Sequence, residues 1–68
     1  MLSEVERTVV EILKERGGRA TVRELAVELY RRGYSPRMAS NAFYYLTIKG
    51  VVRRVSKGVY ELAEVEAK

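Results

Sequence analysis

Residues 35–50 read Ser35-Pro36-Arg37-Met38-Ala39-Ser40-Asn41-Ala42-Phe43-Tyr44-Tyr45-Leu46-Thr47-Ile48-Lys49-Gly50, a helix with both ends marked. Ser35 caps it, Pro36 takes the first helical position where a missing N–H costs nothing, and Gly50 supplies a left-handed stop. At about 100° per residue, Ala39, Ala42, Phe43 and Leu46 fall in one apolar sector that faces a core. The opposite face carries Arg37, Ser40, Asn41 and Tyr44 at i, i+3, i+4 and i+7, with Tyr45 beside them. A solvated helix face normally carries Glu and Lys pairs, but this one holds donors, an amide and rings with no carboxylate. It reads as a recognition face.

Downstream, the period changes. Val51 to Val55 is rich in β-branched residues, Ser56, Lys57 and Gly58 make a turn, and Val59 to Leu62 returns, so 51–62 reads as a β-hairpin. Tyr60 and Leu62 share the side that packs on the helices. The register of the first strand stays open, because Val51 and Val52 are both apolar. Arg53 and Arg54 point to opposite sides, Lys57 sits at the tip, and Arg54 can pair with Glu61 across the hairpin. Residues 63–68 read as an acidic tail.

Upstream, Ser3 with Glu6 and Thr21 with Glu24 are two capping boxes. They open helices expected over about 4–16, with Val5, Val9, Ile12 and Leu13 inward, and 22–32, with Val22, Leu25, Ala26 and Leu29 inward. Opposite-sign pairs such as Arg7 with Glu11 solvate the outer face of the first. Gly17 and Gly18 end it, and Arg19 to Thr21 form a connection able to add a strand pairing. No phosphate-loop glycine spacing surrounds them. Gly33 and Tyr34 make a tight turn into Ser35, so the second and third helices form a helix-turn-helix.

The 68 residues suffice for one domain with a small core, expected to span 1–68. At 47% apolar and 32% charged, the chain lies far from the composition of disorder. No apolar run approaches the roughly 18 residues of a membrane span, and no signal peptide is visible, so a cytoplasmic protein is expected. Cys, His, Asp, Gln and Trp are all absent and Asn occurs once. Thiolate or imidazole metal sites and the commonest acid–base chemistry are thereby excluded, so neither metal, cofactor nor enzyme activity is expected. Glu11 and Glu15 lack any partner for a catalytic role. Scarce Asn and Gln beside abundant Glu, Arg and Lys resembles a thermophile's composition.

The net charge of +4 is unevenly spread. No acidic residue lies between Leu29 and Tyr60, whereas that window holds Arg31, Arg32, Arg37, Lys49, Arg53, Arg54 and Lys57. Such asymmetry is the footprint of a surface that meets a polyanion.

Three helices followed by a two-stranded hairpin, with Leu46-x-x-x-Gly50-Val51-Val52-x-Arg54 and Gly58-Val59-Tyr60-x-Leu62, resembles the winged helix-turn-helix family of DNA-binding domains across Val5 to Leu62. The resemblance implies an α+β, mainly α fold with the third helix in the major groove of double-stranded DNA and the hairpin, or wing, on the backbone. It implies base reading by Arg37, Ser40, Asn41 and Tyr44, wing contacts by Arg53, Arg54 and Lys57, and a phosphate near the cap of Thr21. Ser35, Tyr45 and Lys49 are further backbone candidates. No appended ligand or dimerisation domain is seen, so inducible regulation is not expected. The chemistry agrees: Arg37 suits guanine, Asn41 suits adenine, and tyrosine rings suit thymine methyls. A transcription regulator or a chromosome- or virus-associated protein is the expected class.

Two other partners fit the same residues. Val10, Val27 and Ile48 lie outside the three apolar stripes and suit a homodimer or a subunit of a larger assembly, which makes a protein-interaction winged helix the alternative. Tyr34, Tyr44 and Tyr45 suit stacking with single-stranded nucleic acid.

Overall fold

The computed structural model describes residues 1–63. The chain runs α1 (Glu4–Glu15), β1 (Arg19–Thr21), α2 (Val22–Arg31), α3 (Pro36–Ile48), β2 (Val52–Ser56) and β3 (Val59–Leu62). Each helix stops one residue before the expected end, because Arg16, Arg32 and Lys49 are the C-caps. The tail expected over 63–68 lies, from residue 64 on, outside the described residues. None of the described helices is long and apolar enough to cross a membrane.

Every helix is bounded by local chemistry. Ser3 and Thr21 complete capping boxes, with the Glu6 and Glu24 N–H groups donating to the hydroxyls and the glutamates accepting from the cap N–H groups. Ser35 accepts from the Met38 N–H. At the other ends the same pattern recurs three times. Gly18, Tyr34 and Val51 N–H groups donate to Leu13, Leu29 and Leu46, while Gly17, Gly33 and Gly50 donate to Lys14, Tyr30 and Thr47. These are paired Schellman bonds, which satisfy carbonyls that helix termination would leave unpaired. They require a left-handed residue at C′, and Gly50 holds φ 77°.

The core joins α1, α2, α3 and the sheet. Val9, Ile12, Leu13, Leu25, Leu29 and Leu46 are its largest fully buried side chains, and Ala39, Ala42, Phe43, Ala20 and Val52 complete it. Val5, Val22, Tyr60 and Leu62 pack against it partly buried. The inward faces read from helical periodicity are therefore those the protein uses. The expected Arg7–Glu11 pair is not formed. Arg7 instead donates to the Leu2 carbonyl, in keeping with the small return on exposed i to i+4 pairs.

The expected two-stranded hairpin is in fact a three-stranded antiparallel sheet of order β1-β3-β2. Arg19, Ala20 and Thr21 pair with Glu61, Tyr60 and Val59, so the connection after α1 covers the second edge of β3. On the other edge Val52, Arg53 and Arg54 face Leu62, Glu61 and Tyr60, and an irregularity between Arg54 and Ser56 lets Ser56 face Val59. This settles the register: Val52 and Leu62 point inward. The Val22 N–H donates to the Gly58 carbonyl at 2.8 Å, which ties the hairpin turn to the start of α2. The result is a winged helix arrangement.

A Cβ on Gly50 meets nothing within 4 Å, so substitution there is opposed by backbone conformation alone. Gly50→Ala is expected to lower the unfolding free energy by about 1–2 kcal/mol, and Gly50→Asn by less. Urea denaturation followed by circular dichroism measures both.

Candidate nucleic-acid interface

Burial of Ala39, Ala42, Phe43 and Leu46 sets the rotation of α3. Arg37, Ser40, Asn41 and Tyr44 are all consequently exposed on the opposite side, with Tyr45 at its edge. Tyr44 and Tyr45 meet edge to face with ring centroids 5.3 Å apart. One residue of this face was missed from sequence. At 11 positions beyond Arg37, Ile48 lies on the same line as Arg37, Asn41 and Tyr44 and is 60% exposed. Extending the i, i+4, i+7 series by one further turn would have found it.

Two shallow grooves flank α3. One, about 370 Å³, lies between α3 and the sheet and is lined by Ser40, Tyr44, Ile48, Arg54 and Tyr60 over Phe43. The Phe43 and Tyr60 rings, 5.7 Å apart, form its floor. The other, about 280 Å³, lies between α3 and α1 and is lined by Val5, Met38, Asn41 and Tyr45. The exposed face of α3 is thus a ridge between two depressions.

The sheet separates the two wing arginines. Arg54 lies opposite Tyr60 on the helix side and lines the α3 groove. Arg53 stands on the outer side, where Glu61 accepts from Arg53 at 3.4 Å and from Arg19 at 3.2 Å. The cross-strand pair anticipated for Arg54 therefore belongs to Arg53, because the register puts Arg53 and not Arg54 opposite Glu61. Arg19, then Arg53, hold the Glu61 carboxyl below its usual range.

Several cations of the acid-free window are compensated from outside it. Glu28 pairs with Arg31 at 3.7 Å and Arg32 at 4.0 Å, and Glu6 pairs with Lys49 at 2.8 Å. Among the described residues Arg37, Arg54 and Lys57 make no ion pair. Arg37 stands on the exposed face of α3 at its N-terminus, Arg54 lies across the groove from that face, and Lys57 is exposed at the hairpin tip.

The other candidates are placed differently. Thr21 and Ser35 use their hydroxyl oxygens as helix caps, and the Glu24 carboxylate already occupies the start of α2. Tyr34 is half-buried with its hydroxyl 3.4 Å from that of Thr8, so its ring does not stand out as a stacking platform. Val10 is partly buried against the core, whereas Val27 is 41% exposed. No cluster of three metal-ligating side chains occurs among the described residues.

Lys49 joins the end of α3 to the start of α1. Its ammonium donates to Glu6 Oε1 at 2.8 Å and to the Met1 carbonyl at 3.3 Å, and the same carboxylate oxygen accepts the Ser3 N–H. Glu6 is only 5% exposed. The Lys49 bond foremost, then the Ser3 N–H, hold its carboxyl below the usual range despite burial. The folded value is thus below the unfolded one, about 4.3. The resulting stability is present above that pH and is lost as pH falls through the folded value. Glu6→Gln is expected to remove about 1.5–3 kcal/mol at pH 7. The gap to wild type should close toward pH 3, as thermal melts across that range measure.

No protein-family model, curated protein or solved structure matches this chain.

Proposed function

We propose that this protein binds double-stranded DNA, with α3 in the major groove and the β2–β3 hairpin on the backbone. The observation that carries this reading is the exposed, carboxylate-free face of α3 with Arg37 on it and Arg54 across its groove, both without an ion pair among the described residues, as is Lys57 at the hairpin tip. Cations already compensated inside the fold release few counterions, whereas uncompensated ones do so in full. A 13-residue helix is about 20 Å long and fits a groove roughly 12 Å wide.

On this reading the roles divide. Arg37 offers two parallel donors to guanine O6 and N7, and Asn41 offers an amide to adenine N6 and N7. Ser40 and the tyrosine hydroxyls serve phosphates or base edges, while Arg54 and Lys57 hold the backbone. Arg53 and Lys49 contribute less, because Glu61 and Glu6 compensate them. The biological setting proposed is regulation of transcription or packaging of a chromosome or viral genome.

A second reading is favoured by Val27 and Tyr30, exposed on α2 at 41% and 47%. A protein partner, including a second copy, can cover them while α3 reads DNA, or in place of DNA. Light scattering at several concentrations, with and without duplex, separates these cases.

Two measurements test the leading reading. The logarithm of duplex affinity should fall with the logarithm of salt at a slope of about −1.8, for the two phosphate contacts of Arg54 and Lys57 at about −0.9 each. Arg54→Gln with Lys57→Gln should remove most of the slope, and Arg53→Gln should change it little. An affinity indifferent to salt refutes the reading. Separately, Asn41→Ala should cost about 1–3 kcal/mol on a preferred site selected from random duplexes, and markedly less on unrelated sequence.

A further inference from the structure

The centre line of the exposed α3 face changes character along its length. Arg37 and Asn41 occupy the N-terminal half, and Tyr44 and Ile48, 61% and 60% exposed, occupy the C-terminal half. Ile48 has no polar atom. Leaving such a side chain in water forfeits the gain of burying it, and a large apolar side chain on this cationic face calls for an apolar counterpart on the ligand. Met38 and Tyr45, 43% and 49% exposed, extend the apolar character along the side toward α1.

A polyanion offers few apolar groups. On the floor of the major groove the apolar group presented is the methyl at pyrimidine C5, carried by thymine and absent from cytosine. Charge complementarity selects this partner over an uncharged apolar one. The face carries no carboxylate, Arg37 lies on the same line one half-helix away, and Arg54 shares a groove with Ile48 and Tyr44.

Resting on the duplex-binding reading, we propose that Ile48 and Tyr44 recognise C5-methyl pyrimidines, so that the protein prefers duplexes presenting thymine methyls about one to three base-pair steps beyond the base read by Asn41. The rise of 1.5 Å per residue puts Ile48 about 10.5 Å beyond Asn41, roughly three base-pair steps along the groove. The N-terminal half of α3 reads hydrogen-bonding edges and the C-terminal half reads methyl groups. By the same chemistry, 5-methylcytosine is recognised in place of thymine.

The test uses fluorescence anisotropy at fixed salt with one A·T-rich duplex made twice, with thymine and with deoxyuracil throughout. Base pairing is unchanged and only the methyl groups are lost. Affinity should fall about fourfold for each methyl that α3 covers. A G·C-rich duplex should gain affinity when its cytosines are replaced by 5-methylcytosine. Ile48→Ser, at an exposed position, should reduce the thymine-to-uracil ratio by about fourfold and leave the salt slope unchanged. Equal binding of the thymine and uracil duplexes, with the salt slope retained, overturns the methyl reading and leaves duplex binding standing. A ratio unaltered by both Ile48→Ser and Tyr44→Ser also overturns it. Failure of every duplex to bind refutes the underlying reading itself.

Discussion

The packing of Phe43 and Leu46 into the core, with Ala39 and Ala42 beside them, is the constraint on which the rest depends. A helix has one rotational degree of freedom about its axis, and burying this sector removes it. Phe43 reaches the Tyr60 ring of the central strand, so the same contact also sets the distance between α3 and the sheet. The composition of the outward face, the groove beside it and the position of Arg54 across that groove all follow. Cutting Phe43 to a smaller side chain would loosen this orientation before it altered any exposed residue.

Electrostatics acts on a scaffold already fixed by packing. Carboxylates lie at the starts of α1 and α2, on the outer face of the sheet and on the far side of α2, where they cap helices and neutralise nearby arginines. Glu28 and Glu61 each serve more than one guanidinium. Exposed pairs of this kind contribute little stability individually. Their larger effect is to leave the exposed face of α3 without a carboxylate, so that the charges of Arg37 and Arg54 beside it are not offset there.

Much of the architecture was legible in the sequence because its signals are local. Three hydroxyl caps, three terminal glycines and the apolar periodicity between them identify the helices without reference to the tertiary fold. The inward set Ala39, Ala42, Phe43 and Leu46 came directly from 100° spacing. What local signals do not carry is pairing between distant segments. The register of β2 was open because two adjacent valines satisfy either choice, and only packing of Val52 in the core resolves it. Glu6 read as a capping residue, which it is, yet its second partner, Lys49, lies 43 positions away. The third strand reads from sequence as a short connection able to add one or two strand pairings, and its place beside β3 is not legible because three residues with one inward alanine carry almost no periodicity. Ile48 suits a protein contact by its hydrophobicity, and its angular position also puts it on the line of Arg37 and Asn41.

The strand order has a consequence for synthesis. β3 is the middle strand and follows both of its neighbours in the chain, so both wait for it. As the chain leaves the ribosome, α1, α2 and α3 can meet through short-range contacts, but β1 and β2 have no partner until Val59 to Leu62 emerges. Sheet formation is therefore a late zipping step: a chain that has emerged only as far as Gly58 would expose three helices with two bare strand edges, a form open to capture by a chaperone or by another nascent copy.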